Sequence, residues 1–308
     1  MSPHPDKPCS SFTALGAFWA GDSALLLERS LLSINSNSLL PLEIILVQDG
    51  DVSSDLLAVV ESYCGDAPLR LISLSDNRGL GHALNLGLQS VTTDFVIRFD
   101  ADDYSLPSRF ESIMGALNDG YDLVGSQALE DNGPGFRNTE RRVPLEGSKI
   151  RSYLRYRSPF NHMTVGFKVA AVMGAQGYPD IRLREDYGLW ARLIASGSRV
   201  CNIDKVLVEA SAGDGLIRRR GGWRHVIAEI KLQKLMISLG TQSYTSAALI
   251  GTLRCTIFLL PVFLRRFIYL ATLRRSESGD SAGIATPPKQ SLVGAAATHL
   301  KRLFSSVH

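Results

Sequence analysis

The sequence predicts an α/β fold built on a mixed, mostly parallel sheet flanked by helices. Three observations carry that prediction. Short apolar, β-branched runs alternate with helix-patterned segments between residues 13 and 99, the pattern of parallel strands joined by crossover helices. Two of those runs end in carboxylate-bearing turns, Gln48-Asp49-Gly50 and Asp100-Ala101-Asp102-Asp103, and ligands of open parallel sheets bind beyond the carboxyl ends of the strands. The 308 residues are 45% hydrophobic and 20% charged, which supports a sizeable core and excludes global disorder or a collagen-like fibre.

The elements follow in order. Thr13–Trp19 is a first buried strand that stops at Gly21-Asp22. Leu25–Ile34 is a helix that places Leu25, Leu26 and Leu32 on a different face from Glu28 and Arg29. Pro41 breaks the chain, and Glu43–Val47 is a second strand. Ser54–Tyr63 is a helix with Leu56, Leu57 and Val60 inward, and Leu69–Leu74 a third strand. The turn Asn77-Arg78-Gly79 opens a helix over Leu80–Gln89, and Asp94–Phe99 is a fourth strand. Residues 131–157, rich in Gly, Pro and Arg, read as an irregular excursion. Thr164–Val172 is apolar, Glu185-Asp186 begins a helix running to Ala195, and Val206–Glu209 is a late strand. Trp223–Leu239 is a long amphipathic helix, Leu253–Leu273 is apolar but punctuated by arginines, and Ser276–Ser291 has a disordered composition.

The net charge of +3 hides a split. Residues 1–214 hold 19 Lys/Arg against 27 Asp/Glu, and residues 215–308 hold 14 against 3. An acidic body with a basic tail suggests that the tail meets something anionic. Cys9, Cys64, Cys201 and Cys255 include no Cys-x-x-Cys pair, so neither a zinc site nor a disulfide framework is expected, and a reducing compartment is. The first eleven residues lack the pattern of a signal peptide and read as a disordered lead-in.

Asp100, Asp102 and Asp103 put three carboxylates within four residues at a strand end. Their repulsion requires neutralisation, and carboxylate oxygens suit a hard cation such as Mg²⁺ or Mn²⁺. The alternative is helix capping, with Ser105 capping a helix entered through Pro107. Asp49 could accept from a nucleobase N–H, or simply make an Asp-Gly turn. Glu185-Asp186 could supply a general base, or favour the positive end of the helix they start. His162 could touch substrate or be a satisfied structural histidine. No His-x-x-x-His pair, Gly-x-Ser-x-Gly elbow or Walker-type loop is present, and Gly79-x-Gly81 lacks the third glycine of a dinucleotide fingerprint.

Together these motifs resemble the GT-A glycosyltransferases of family 2, and among them the bacterial exopolysaccharide group of the amylovoran-biosynthesis type. The matching stretches are Leu46-Val47-Gln48-Asp49-Gly50, Asn77-Arg78-Gly79-Leu80-Gly81 with Asn85 and Gly87, Asp100-Ala101-Asp102-Asp103 with Leu106-Pro107 and Arg109-Phe110, Pro159-Phe160-Asn161-His162 with Thr164, and Glu185-Asp186-Tyr187 with Leu189-Trp190. Arg219-Arg220-Gly221-Gly222 and Glu229–Gln233 follow the same group. The resemblance implies a Rossmann-like nucleotide-binding fold and inverting transfer of a sugar from a nucleotide-diphosphate donor. It implies that Phe18, Asp49, Arg78, Asp100 and His162 line the donor. Asp102, with Asp100 and Asp103, would hold a divalent Mn or Mg ion, and Asp186 would be the base that Glu185 supports. Phe18 stands where many relatives have tyrosine and would stack on the base without a hydroxyl. The Gln/Arg-x-x-Arg-Trp mark of processive synthases is absent, which favours transfer of a single sugar. A non-catalytic nucleotide-sugar-binding scaffold and a nucleotidyltransferase remain as alternatives.

The expected organisation is a catalytic domain over 12–215, amphipathic and membrane-proximal helices over 216–275, and a mostly disordered basic tail over 276–308. The uncharged run 255–264 contains Pro261 and is too short to span a bilayer, which takes about 20 residues. Bracketed by Arg254, Arg265 and Arg266, it is expected to lie on an anionic membrane with arginines at the headgroups. That expectation places the protein in the cytoplasm, peripheral on the inner face of the plasma membrane, near a lipid-linked saccharide acceptor. No nucleic-acid-binding motif accompanies the basic tail.

Overall fold

The computed structural model describes residues 11–131, 138–211, 221–262, 264 and 265. The lead-in, Arg218–Arg220 and the expected tail over 276–308 lie outside the described residues, as does most of the apolar stretch beyond Pro261.

The chain runs β1 (Phe12–Phe18), α1 (Ala24–Asn35), β2 (Glu43–Asp49), α2 (Ser54–Glu61), β3 (Leu69–Leu74), α3 (Leu80–Gln89) and β4 (Phe95–Arg98). It continues with β5 (Tyr104–Ser105), α4 (Arg109–Asn118), β6 (Leu123–Asp131), β7 (Thr139–Arg141), α5 (Gly147–Tyr153), β8 (Gly166–Lys168), α6 (Val169–Gly174) and α7 (Glu185–Ala195). Then come β9 (Val200–Ser211), α8 (Trp223–Ser238) and α9 (Tyr244–Leu259). Among the described residues nine strands form one sheet in the order β3-β2-β1-β4-β8-β6-β9-β5, with β7 paired to β6. The first four positions are parallel, β8 is antiparallel to both β4 and β6, and β6 pairs in parallel with β9. The expected mixed, mostly parallel α/β sheet is therefore present.

Strand alternation divides the core into two layers. Leu15 and Ala17 of β1, with Ile45 and Val47 of β2, pack under α3, α7 and α8. Ala14 and Phe18, with Ile44 and Leu46, pack under α1, α2 and α4. Helix α1 meets this second layer through Leu27, Leu31 and Ile34, each burial worth about 2 kcal/mol. Its predicted apolar face is corrected: Leu25 and Leu32 are 73% and 60% exposed, because the helix is rotated to bring Leu27 and Leu31 onto the sheet.

Three further expectations change. Ser105 caps no helix: it lies in β5 against Val208, and its Oγ accepts from Arg109 Nη1 at 2.6 Å, while α4 starts after Ser108. The stretch 131–157 is not wholly irregular, because Thr139–Arg141 pairs with Ala128–Glu130 and α5 follows. The late strand begins at Val200, since its partner β6 offers an edge of nine residues.

Helices α8 and α9 form an antiparallel hairpin, tied at its open end by Gly222 N donating to Phe258 O at 2.8 Å. Leu232 and Met236 of α8 join the core layer that contains Leu189 and Trp190 of α7. No helix among the described residues is long and apolar enough to cross a membrane.

Candidate active site

The carboxyl edge of the parallel strands gathers the polar turns. Beyond β4, one carboxylate oxygen from each of Asp100, Asp102 and Asp103 falls within a cluster 4.8 Å across. The turn is pinned by its neighbours. Ser30 Oγ donates to Asp100 O at 2.8 Å, Ser211 Oγ to Asp102 O at 2.6 Å, and Ser211 N to Asp103 Oδ1 at 3.0 Å. Arg98 is buried beneath the turn, and its Nη1 and Nη2 donate to both oxygens of Asp100. Half-buried and acted on by Asp100 and Asp22, the Asp102 carboxyl is pushed up to about 6, chiefly by its loss of solvent. Burial, then Asp100 and Asp102, push the Asp103 carboxyl well above the usual carboxylate range. The buried Asp103 Oδ2 has no hydrogen-bond partner.

These features fit a hard divalent cation. The site offers an orphaned, buried carboxylate oxygen and mutually repelling carboxylates, and a cation would relieve both. Asp102 and Asp103 are the better donors, because Asp100 already spends both oxygens on Arg98.

Asp49, at the end of β2, is buried, and its role is more structural than the sequence suggests. Its Oδ1 accepts from Arg78 N at 2.7 Å and its Oδ2 from Gly79 N at 2.9 Å. The carboxylate thereby caps α3, whose own N-cap residue, Gly79, has no side chain and sits at φ +93°. Each oxygen has the capacity to accept one further hydrogen bond. Arg78 projects into solvent beside a cleft of about 430 Å³, which is also lined by Gly79, Tyr178, Arg182 and Glu185. The cleft lining includes none of Asp100, Asp102 and Asp103.

Glu185 and Asp186 open α7, and Glu185 packs against the start of α3. A Cβ at Gly81 would stand 2.8 Å from Glu185 Cβ, so glycine is what lets the two helix starts approach. Burial, and then Asp186, push the Glu185 carboxyl up to about 7. Tyr178 is buried, and the charges of Arg98, Asp186, Asp100 and Glu185 all act on its phenol. Its hydroxyl bonds His162 Nε2 at 3.0 Å. His162 also stands edge-on to Trp190 at 5.8 Å, and burial keeps its imidazole neutral, well below the usual histidine range. That environment favours the structural reading of His162.

Phe18 is corrected. It is 1% exposed, in the core layer with Leu27, Leu31 and Phe99, because strand alternation points it under α1. It offers no face to a base. The exposed aromatic at that edge is the next residue, Trp19, at 49%.

A family model described as Glycosyl transferase family 2 matches residues 22–178. The chain belongs to glycosyl transferase family 2. It is 36% identical, over 86% of its length and 97% of the relative, to UDP-Gal:alpha-D-GlcNAc-diphosphoundecaprenol beta-1,3-galactosyltransferase of Escherichia coli. It is 35% identical, over 79% of its length and 92% of the relative, to the amylovoran biosynthesis glycosyltransferase AmsE of Erwinia amylovora. Among solved structures, Staphylococcus aureus TarS 1–349 in complex with UDP superposes with a TM-score of 0.58 at 16% identity, covering 81% of this chain and 70% of that one. The mannosyltransferase PcManGT of Pyrobaculum calidifontis, in complex with GDP-Man and Mn²⁺, gives 0.56 at 17% identity, covering 96% and 86%. These likenesses confirm the GT-A type of fold. As a family 2 glycosyltransferase the chain is an enzyme of sugar transfer, and the predicted resemblance holds.

Within this family 2 site, sequence reasoning passed over Asp22, Arg98, Trp19 and Tyr178. Asp22 brings a fourth carboxylate, pushed up to about 6 by burial, that acts on Asp102. Its signal was readable, since Gly21-Asp22 follows β1 at the same sheet edge as the other acidic turns. Arg98, two residues before Asp100, was equally visible as a cation. Nothing local marks Tyr178, which joins the site only through folding.

Proposed function

We propose that this enzyme moves one sugar, with inversion, from a nucleotide-diphosphate sugar to a hydroxyl of a lipid-linked saccharide during bacterial surface or exopolysaccharide assembly. The observation that supports this reading is that the acidic turn beyond β4 and the acidic start of α7 are near enough for the charges of Asp100, Asp186 and Glu185 all to be felt at the buried Tyr178 phenol. A donor held at the β4 turn and an acceptor hydroxyl beside the start of α7 would meet near it. The lipid-linked acceptor is carried over from the Escherichia coli relative, whose name gives a diphosphoundecaprenol acceptor, and the polysaccharide setting from AmsE.

Asp102 and Asp103 would hold a divalent Mn or Mg ion, which when bound neutralises the charge that develops on the leaving diphosphate. Arg98 holds Asp100 fixed beside them. Asp186 takes the proton from the acceptor hydroxyl as its oxygen attacks the anomeric carbon, while the donor's bond to the diphosphate breaks. Glu185, its carboxyl pushed up to about 7 by burial, carries on average less than a full second negative charge beside that base near neutral pH. Asp49 shapes the donor pocket by fixing the start of α3, and Arg78 and Trp19 face the same edge.

The membrane contact is proposed for a different surface from the one expected. Arg254 is not available to headgroups, because it is buried against Glu229 at 2.9 Å. Helix α8 instead exposes Trp223, Ile227 and Ile230 at helical spacing, flanked by exposed Arg224, Lys231 and Lys234. Glu229, the one carboxylate between residues 221 and 265, is buried. An apolar stripe with a basic border and no exposed acid suits an anionic bilayer on the cytoplasmic face, where nucleotide sugars are made.

The test is a panel of nucleotide sugars with a lipid-linked saccharide acceptor and Mn²⁺. Release of nucleoside diphosphate that depends on the acceptor supports transfer. Release of pyrophosphate would indicate a nucleotidyltransferase, and binding without turnover a scaffold.

A further inference from the structure

A buried charged cluster ties the C-terminal hairpin to Arg184, two residues before the proposed base. Glu229 on α8 is fully buried. Its Oε1 accepts from Arg254 Nη1 at 2.9 Å and from Gln233 Nε2 at 2.8 Å. Its Oε2 faces Arg184 Nε at 3.5 Å. Burial would push this carboxyl up, but the guanidiniums of Arg254 and Arg184 hold it below the usual range, so Glu229 stays charged. Arg254 is in turn fixed by Tyr156 O and lies over the ring of Tyr187, in the first turn of α7, at 5.6 Å.

Arg184 occupies a demanding position. It is the N-cap of α7 and offers no side-chain cap. Its carbonyl accepts from Gly188 N at 2.9 Å, the bond that starts the helix. The preceding Leu183 sits at φ +74°, a left-handed conformation that costs a leucine about 1–2 kcal/mol. Such strain persists only where surrounding contacts over-determine it. Here Arg184 Nη1 donates back to Leu183 O at 2.9 Å while its Nε is turned to Glu229 and its guanidinium covers Phe258 at 5.4 Å. The side chain is thus drawn toward the hairpin. Its charge is also felt by Glu185, the next residue in sequence. A guanidinium paired with Asp186 would stabilise the carboxylate and weaken it as a base.

We propose that Glu229 is a positioning residue for glycosyl transfer, one that acts through Arg184: it holds the Leu183–Arg184 turn, and so the first turn of α7, in place and keeps the Arg184 cation off Asp186. This rests on the reading of Asp186 as the base. It makes the C-terminal hairpin part of the catalytic unit, since the same helix carries Glu229 inward and Trp223, Ile227 and Ile230 outward.

The test compares Glu229→Gln, Arg184→Gln and the double variant of the full chain, with two readouts. Amide hydrogen exchange over residues 183–189 reads the positioning without turnover. Each single variant is expected to speed exchange at Gly188 ten-fold or more, and the double variant to add little. Steady-state kinetics are expected to show kcat lowered ten-fold or more, with the KM for donor within two-fold and non-additive effects. If Glu229→Gln fails to fold, Arg184→Gln at its half-buried position reads the same link. Unchanged exchange at Gly188 in Arg184→Gln would overturn the proposal, as would additive losses in the double variant. Faster exchange in an enzyme that transfers no sugar would leave the link standing and count against the assignment of Asp186 instead.

Discussion

Arg98 and Asp100 form a bidentate ion pair in which the guanidinium is buried under the sheet and the carboxylate reaches the acidic turn beyond β4. The pair is one strand end from the parallel edge of β1, and it fixes the charge from which the whole acidic cluster is built. A buried guanidinium without its partner is costly, as is the reverse. Arg98→Met is therefore expected to destabilise the fold by about 3–5 kcal/mol, and adding Asp100→Asn to recover part of that loss. Denaturant melts of the two variants check this. Equal stability of Arg98→Met and the wild type would remove Arg98 from the account.

Asp102 differs from Asp100 in what it can give up. Asp102→Ala is expected to leave the melting temperature of the metal-free protein unchanged or raised, since it relieves repulsion with Asp100 and Asp22. Binding of nucleoside diphosphate in Mn²⁺ is expected to weaken ten-fold or more. Titration calorimetry with and without Mn²⁺ measures both effects. The same affinity in both conditions would dismiss the metal.

The Glu185 carboxyl gives a pH signature. Burial raises it from an ordinary value of 4.5 to about 7, so between those values the native state holds a proton that the unfolded chain has lost. Stability from this group is greatest below about pH 4.5 and declines as the pH rises toward 7. Glu185→Gln removes the decline. The melting temperature of the metal-free variant, relative to wild type, should therefore rise from pH 4.5 to pH 7, and a constant difference would show that Glu185 titrates normally.

The proposed membrane face makes a surface prediction. Trp223→Ser with Ile227→Ser changes exposed side chains only, so stability should move by less than about 0.5 kcal/mol per site. Sedimentation with vesicles containing phosphatidylglycerol should be lost, and wild type should not sediment with phosphatidylcholine alone. Retention of the variant on anionic vesicles would move the contact elsewhere.

The sheet was legible because β2 and β4 carry short, β-branched apolar runs between helix-patterned segments, and because strand ends in parallel sheets expose their turns. The acidic turn and the start of α7 were legible for the same reason. Side-chain direction was less so. Phe18 and Trp19 are neighbours with opposite fates, and strand alternation with the packing of Leu27 and Leu31 decides which one faces the edge. Arg254 read as a surface cation because its partner, Glu229, is 25 residues away on another helix. Tyr178 and Arg184 enter through long-range packing that no local pattern records.

The account stands most directly on Asp186. Asp186→Asn keeps the shape of the α7 start and removes the proton acceptor. Turnover with a matched nucleotide sugar and lipid-linked acceptor should fall about 10²–10⁴-fold, with the affinity for nucleoside diphosphate and Mn²⁺ unchanged. Wild-type turnover by Asp186→Asn would contradict the account.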